Sequence, residues 1–99
     1  MLDLTQDQIA ILRTLLARRV PGREVRAFGS RVTGRARRHS DLDLVIMTDQ
    51  PLPDITLSDL RADLEESDLP FRVDVVEWAE LPAGLRAEID VRSEVIREA

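Results

Sequence analysis

The stretch Leu42–Met47, with the sequence LDLVIM, constrains the fold of this chain more than any other segment. It is a short run of aliphatic and β-branched residues, which predicts a β-strand. Side chains alternate along a strand, so Leu42 and every second residue after it should point into a core. Asp41 and Asp43 then leave the opposite face, about 6–7 Å apart along the chain. The strand therefore carries two acids beside a hydrophobic interior.

Two further strands and a helix are marked by their composition and by their end signals. The segment EVRAF, which ends at Phe28, and the segment FRVDVVEW, residues 71–78, both have the pattern of strands. Thr5 and Gln8 form a capping box for a first helix. That helix should stop at Pro21 and the glycine that follows it.

Three more helices complete the expected order. Ser30 is expected to be the N-cap of a short helix from about Arg31 to Arg37. Thr56 is expected to cap a helix with a leucine stripe, and the apolar period from Leu85 to Ile96 predicts a final helix. The predicted order is α-β-α-β-α-β-α, and the predicted fold class is α/β (α+β), with a short sheet flanked by helices.

Length and composition bound the class of protein. A chain of 99 residues leaves no room for two cores, so residues 1–99 are predicted to form a single domain. No apolar run approaches the roughly 18 residues of a membrane span, and no membrane association is expected. Acidic residues near the start are wrong for a secretory signal. Cysteine is absent, which excludes disulfides and a thiolate zinc site and favours a cytoplasmic location.

The charge is unevenly distributed along the chain. The net charge is −5 and all 14 basic residues are arginines, since the chain contains no lysine. Residues 31–39 hold four arginines and no acid, namely Arg31, Arg35, Arg37 and Arg38. One basic segment on an acidic chain favours an anionic small molecule over direct binding of a nucleic acid, which would need a basic stripe.

A third acid is expected to join the first two. Asp74 lies in the third predicted strand, on the face opposite to Val73 and on the same face as Arg72. If this strand pairs with the Leu42–Met47 strand, Asp74 can lie beside Asp43. Converging carboxylates repel one another, and a divalent cation removes the conflict. Hard oxygen ligands select magnesium or manganese over zinc.

Gly29 and Ser30 supply the features of a phosphate site. A glycine lets the backbone approach a ligand closely, and free amides at the start of a helix attract anions. The Ser30 hydroxyl can donate to a phosphate oxygen, and a nearby arginine can spread the charge further. A phosphate site opposite a metal site is the equipment for metal-assisted phosphoryl or nucleotidyl transfer.

These residues resemble a known family. Gly29-Ser30, ten intervening residues and then Asp41-Leu42-Asp43 form the GS-x10-DxD signature of the polymerase-β-like nucleotidyltransferase superfamily. The stretch FGSRVTGRARRHSDLDLVI closely resembles the minimal nucleotidyltransferases, the MNT proteins, and VDVVEW matches the strand of the third carboxylate. The resemblance runs from Val25 to about Ile96 and implies a short mixed sheet with the polymerase-β-like nucleotidyltransferase fold.

The resemblance also implies an activity and a partner. MNT proteins are commonly antitoxins paired with HEPN ribonuclease toxins, and they transfer AMP from ATP to a toxin tyrosine with magnesium. By this resemblance, Gly29 and Ser30 would hold the triphosphate, and Asp41 and Asp43 would bind two Mg²⁺ ions. Asp74 would be the third metal ligand and the acceptor of the tyrosine proton. Arg31 or Arg35 is expected to contact the nucleotide or the partner.

Two other functions stay open on the sequence alone. One is a nucleotidyltransferase that modifies a small-molecule hydroxyl, although the chain shows no second domain of the kind that such relatives use to bind substrate. The other is an antitoxin that only binds its toxin, although three converging aspartates are required only by chemistry. His39 is expected to be a solvent-exposed loop residue. Trp78 is expected to be a core or rim residue.

Overall fold

Four strands form one sheet in the part of the chain that the structure describes. The computed structural model describes residues 2–35 and 40–99. The strands are β1 Val25–Phe28, β2 Leu42–Ile46, β3 Val73–Glu77 and β4 Glu94–Arg97, in the spatial order β3-β2-β1-β4. β2 is antiparallel to β1 and parallel to β3, and β4 is antiparallel to β1. The sheet is therefore mixed, as the resemblance implies.

The helices alternate with the strands along the chain. They are α1 Gln6–Arg19, α2 Ser30–Thr33, α3 Asp54–Glu65 and α4 Ala83–Val91, and a 3-10 turn over Trp78–Glu80 follows β3. The predicted capping box is confirmed at α1. Thr5 Oγ1 accepts the Gln8 amide at 3.1 Å, and Gln8 Oε1 accepts the Thr5 amide at 3.0 Å.

The main core lies between one face of the sheet and the helices α1 and α3. Leu42, Leu44 and Ile46 are fully buried on this face, as the strand pattern predicts. Apolar residues of α1 and α3 join them, and these are Leu12, Leu16, Leu57, Leu60 and Leu64. Burial of these side chains is the main source of stability, at about 25 cal/mol per Å² of apolar surface. The opposite face carries Asp43 together with Val45, which is also fully buried.

The prediction of a final helix that reaches Ile96 is wrong. α4 ends at Val91, because Arg92 is extended (φ −138°, ψ 90°), and residues 94–97 form β4. Ile96 is 2% exposed and belongs to the main core, while Val95 points outward. Seven residues separate Ile89 from Ile96, which fits a helical period by coincidence. Pairing with β1 satisfies backbone groups that would otherwise lie on an open sheet edge.

Two expected helix caps are also wrong. α3 begins at Asp54 rather than after Thr56, because Pro53 has a φ of −54° and its carbonyl accepts the Thr56 amide at 3.0 Å. Gly29, not Ser30, is the N-cap of α2, and Ser30 is its first residue.

The short second helix ends earlier than expected. α2 stops at Thr33, because Gly34 is left-handed (φ 82°, ψ 10°) and its amide donates to the Ser30 carbonyl. The last two residues of the predicted helix, 36 and 37, lie outside the described residues.

Over residues 2–35 and 40–99, no helix is both long enough and apolar enough to cross a bilayer.

Candidate active site

The parallel pairing of β2 and β3 brings two predicted site residues together. Asp43 and Asp74 are register partners, and Phe28 of β1 lies opposite Asp43 on the other side. Asp41 lies one residue before β2. The side chains of Asp41 and Asp74 are 43% and 44% exposed. The predicted adjacency of Asp43 and Asp74 is thus confirmed, at the edge of the sheet face away from the main core.

The carboxyl group of Asp43 is affected by the charges of the other two acids. Burial raises the pKa of its carboxyl above the ordinary value, and the negative charges of Asp74 and then of Asp41 raise the pKa further. The ionised form of a partly buried carboxyl is disfavoured by two acidic neighbours, because like charges repel. This is the chemical environment that a bound cation would relieve.

Gly29 lies directly against Asp43. Its φ of 81° and ψ of −157° fall in a region that only glycine adopts readily. A Cβ at this position would collide with the Asp43 carboxylate, whose Cγ would be only 3.3 Å away. The sequence suggested that the glycine makes room for a ligand. The structure shows that it also makes room for an aspartate of the site.

Ser30 begins the one-turn helix α2 beside this contact. The first helical hydrogen bonds run from the amides of Val32 and Thr33 to the Gly29 carbonyl, at 3.0 and 3.1 Å. The amides of Ser30 and Arg31 precede these bonds, so they are at the end of the helix where amides lack helical acceptors. Ser30 thus directly follows the glycine that contacts Asp43, and its role as a phosphate ligand stays a prediction.

Arg31 is buried, and its guanidinium is already engaged in structural contacts. Only 6% of the residue is exposed. Nε and Nη2 donate to the Ser40 carbonyl at 3.0 and 2.9 Å, and Nη1 donates to the Asp3 carbonyl at 3.0 Å. The guanidinium carbon also lies 4.1 Å from the centre of the Phe71 ring. Arg31 thus joins α2 to the residues that precede β2 and β3, a structural role that sequence reasoning missed.

Arg72 contacts the acids directly. Its Nη2 lies 3.5 Å from Asp41 Oδ2 and 3.3 Å from Asp74 Oδ1. The alternation of β3 placed Arg72 on the same face as Asp74, but the sequence assigned it no role. The available signal was the i, i+2 spacing of opposite charges on one strand face.

Two open grooves flank the acids. A groove of about 840 Å³ follows β3 and is lined by Asp43, Asp74 and Arg72, among others. A second groove, of about 630 Å³, lies between α4 and the segment that contains Gly29 and Arg35. Phe28 and Leu85 line both grooves, so the two meet beside Asp43. Together they form an extended open cleft across the site.

The acids provide suitable donors for magnesium. Carboxylate oxygens are hard ligands, and Mg²⁺ is commonly held by one or two carboxylates together with substrate phosphates. Within the described ranges, no three acidic or histidine side chains converge closely enough to ligate one ion as they stand. The Arg72 guanidinium lies between Asp41 and Asp74 instead. The carboxylates are therefore of the right chemical type for the ion, but in the described residues they would have to rearrange before they could hold it.

Other predicted residues lie at the margin of the site. Arg35 is exposed and lines the second groove. Trp78 is partly buried, and Arg86 lies over its ring and donates to its carbonyl at 3.1 Å, which agrees with a rim residue. Arg37, Arg38 and His39 lie outside the described residues.

A glycine-serine turn beside acids on paired strands of a mixed sheet defines a nucleotidyltransferase domain. The chain belongs to the family described as polymerase beta, nucleotidyltransferase, which matches residues 12–99. It is 42% identical over 97 residues to a probable protein adenylyltransferase, MntA, of Haemophilus influenzae. That match covers 98% of this chain and 85% of the relative.

Solved structures share the fold. One is a crystal structure of a toxin–antitoxin with AMP-PNP, with a TM-score of 0.76 and 23% identity over 92% of this chain and 73% of the other. Another is a complex of a tri-AMPylated Shewanella oneidensis HEPN toxin with its MNT antitoxin. It has a TM-score of 0.73 and 20% identity over 97% of this chain and 74% of the other.

Proposed function

We propose that this protein is an antitoxin that transfers AMP from ATP to a tyrosine hydroxyl of a HEPN ribonuclease toxin and thereby inactivates it. The observation that carries the proposal is the register pairing of Asp43 with Asp74 beside the Gly29 turn. The 42% identity to a probable protein adenylyltransferase supports this choice of reaction. Action in the cytoplasm belongs to the same proposal.

The side chains divide the work of the transfer. Gly29 and the amides and hydroxyl at Ser30 bind the triphosphate, and Arg31 holds this turn against the entrance of β2. Asp41, Asp43 and Asp74 would hold Mg²⁺, and the resemblance implies two ions. When bound, the metal would neutralise negative charge on the triphosphate and on the departing pyrophosphate. Asp74 accepts the proton of the incoming tyrosine, because it is the acid on the edge strand β3 and lines the open groove.

The transfer forms one oxygen–phosphorus bond and breaks another. The tyrosine oxygen forms a bond to the α-phosphorus of ATP. The bond from that phosphorus to the bridging oxygen breaks, so that pyrophosphate departs with the electron pair. The proton of the hydroxyl passes to Asp74. The product is a tyrosine carrying AMP, and repetition of the step would add further AMP units.

A protein acceptor suits an open site. The two grooves beside the acids are open to solvent, whereas small-molecule sites enclose most of their ligand. The chain contains no tyrosine, so a tyrosine acceptor must come from another molecule. A docked toxin would supply the missing wall of the cleft.

Labelled ATP tests the proposed reaction. The protein is incubated with its cognate toxin and magnesium, with ATP labelled either at the α- or at the γ-phosphate. Nucleotidyl transfer moves only the α-label to the toxin, and a chelator or the Asp41→Asn/Asp43→Asn variant abolishes it. Transfer of the γ-label would show phosphoryl transfer instead. No transfer of either label would reject the enzymatic proposal.

A further inference from the structure

Arg72 occupies the place in the acid cluster where a cation is expected. One nitrogen, Nη2, lies 3.5 Å from Asp41 Oδ2 and 3.3 and 3.4 Å from the two oxygens of Asp74. The side chain is 73% exposed, so no packing forces it into this position. An exposed arginine is free to extend into water, and here it bridges carboxylates from two neighbouring segments. The acids themselves are the reason for this placement.

The backbone of Arg72 fixes the base of this side chain. Its carbonyl accepts the Leu42 amide at 2.9 Å, which starts the parallel pairing of β2 with β3. The arginine therefore stands at the point where the two acid-bearing strands meet. Arg61 lines the same groove, but its Nη2 donates to the Val75 carbonyl at 3.1 Å. In the described part of the groove, Arg72 is the cation that contacts the acids.

We infer that Arg72 is the built-in counter-cation of this site, and that it must leave Asp41 and Asp74 before a divalent metal ion can bind there. The inference rests on the proposed function, which assigns these acids to the metal. The guanidinium and the ion compete for the same oxygens, and they repel each other when both are near. Arg72 therefore stabilises the metal-free acids and weakens the binding of metal alone.

Manganese binding without nucleotide tests this competition. Free Mn²⁺ is counted by electron paramagnetic resonance while the ion is titrated into the wild type and the variants. Arg72→Gln and Arg72→Met both remove the charge and keep much of the length. Both should bind Mn²⁺ about threefold to tenfold more tightly, the size expected for loss of two exposed ion pairs. Arg72→Lys keeps the charge and should stay near the wild type.

A matched control separates the local effect from total charge. Arg18→Gln makes the same change in net charge on the exposed surface of α1 and should leave the Mn²⁺ affinity within about twofold of wild type. Equal or weaker binding by both charge-removing variants at Arg72 would overturn the inference. So would an equal gain in Arg18→Gln. Thermal unfolding in chelator verifies that each variant is folded.

The Mn²⁺ titration of the Arg72 variants and the AMP-transfer assay test two different claims, so one claim can fail without the other. A wild type that transfers AMP, together with an unchanged Mn²⁺ affinity in the Arg72 variants, would reject only the counter-cation. A gain in affinity at Arg72 in a protein that transfers no AMP to its toxin would reject only the proposed function.

Discussion

Position 29 requires glycine for two reasons, its backbone conformation and its contact with Asp43. Its backbone conformation (φ 81°, ψ −157°) costs a residue with a Cβ about 1–3 kcal/mol, and that Cβ would also displace the Asp43 carboxylate. Gly29→Ala should therefore lower the free energy of unfolding by more than about 2 kcal/mol and reduce AMP transfer at least about tenfold. Urea denaturation and the labelled-ATP assay measure the two effects.

Gly34 provides the control for this substitution. It also has a positive φ of 82°, but a Cβ there would meet no atom within 4 Å. Gly34→Ala should cost about 1 kcal/mol of stability and leave transfer nearly unchanged. Equal losses of transfer in the two variants would contradict the role given to the contact between Gly29 and Asp43.

Arg31 is expected to act through stability and positioning. Arg31→Ala removes hydrogen bonds to the Ser40 and Asp3 carbonyls and the contact with the Phe71 ring, and should cost about 2–4 kcal/mol in urea denaturation. Arg31→Lys keeps the charge but loses the paired donors to Ser40, so it should recover only part of this loss. A fully stable Arg31→Ala variant with a raised KM for ATP would instead make Arg31 a nucleotide ligand.

The acids should reduce the stability of the metal-free protein. The pKa of Asp43 is raised by burial and by Asp74 and Asp41, so the folded protein holds this proton to a higher pH than the unfolded chain does. The free energy of unfolding therefore falls as pH rises from the ordinary value of 3.8 through the folded pKa. Asp41→Asn/Asp43→Asn should be at least as stable as wild type at neutral pH in chelator.

Thermal unfolding between pH 3 and pH 8, roughly the range over which carboxyl groups titrate, measures this difference. The gap between variant and wild type should be small at the acid end and should widen as pH rises. A double variant that unfolds at neutral pH would show that the two aspartates are required by the fold and would weaken their assignment to chemistry.

Among helices and strands, β4 shows where sequence reasoning reaches its limit. Local patterns located α1, β1, β2, α3 and β3 because burial on one face leaves a period of two or 3.6 residues. The residues of β4 fit both the strand period and the helix period. Whether they form a strand depends on pairing with β1, which is about 70 positions away in the chain. A nonlocal partner of this kind leaves no local signal.

The strand assignment of β4 predicts unequal costs for neighbouring substitutions. Ile96 lies in the main core, so Ile96→Ala should lower the free energy of unfolding by about 2–4 kcal/mol. Val95 is 41% exposed on the other face, so Val95→Ala should cost less than about 1 kcal/mol. Urea denaturation of the two variants decides, and similar costs would contradict the alternation of the strand.

Across the whole molecule, the residues of the candidate site were more predictable from sequence than the arginines that contact them or hold the adjacent turn. The signature from Gly29 to Asp43, with Asp74, predicted a turn at Gly29 and the pairing of Asp43 with Asp74, and the structure shows both. Arg31 and Arg72 were not assigned their contacts, since an arginine in a sequence reads as a surface charge whether it is buried or bridging. The expectation of a single domain over residues 1–99 stays a prediction.

Intact-mass spectrometry of the cognate toxin tests the central claim most directly. The toxin is incubated with this protein, ATP and magnesium, and its mass and ribonuclease activity are followed together. The proposed function predicts that the toxin gains one or more AMP units, that its activity falls in step, and that Asp41→Asn/Asp43→Asn prevents both changes. A toxin that keeps its original mass yet is inhibited in a stoichiometric complex would contradict it and identify an antitoxin that acts by binding alone.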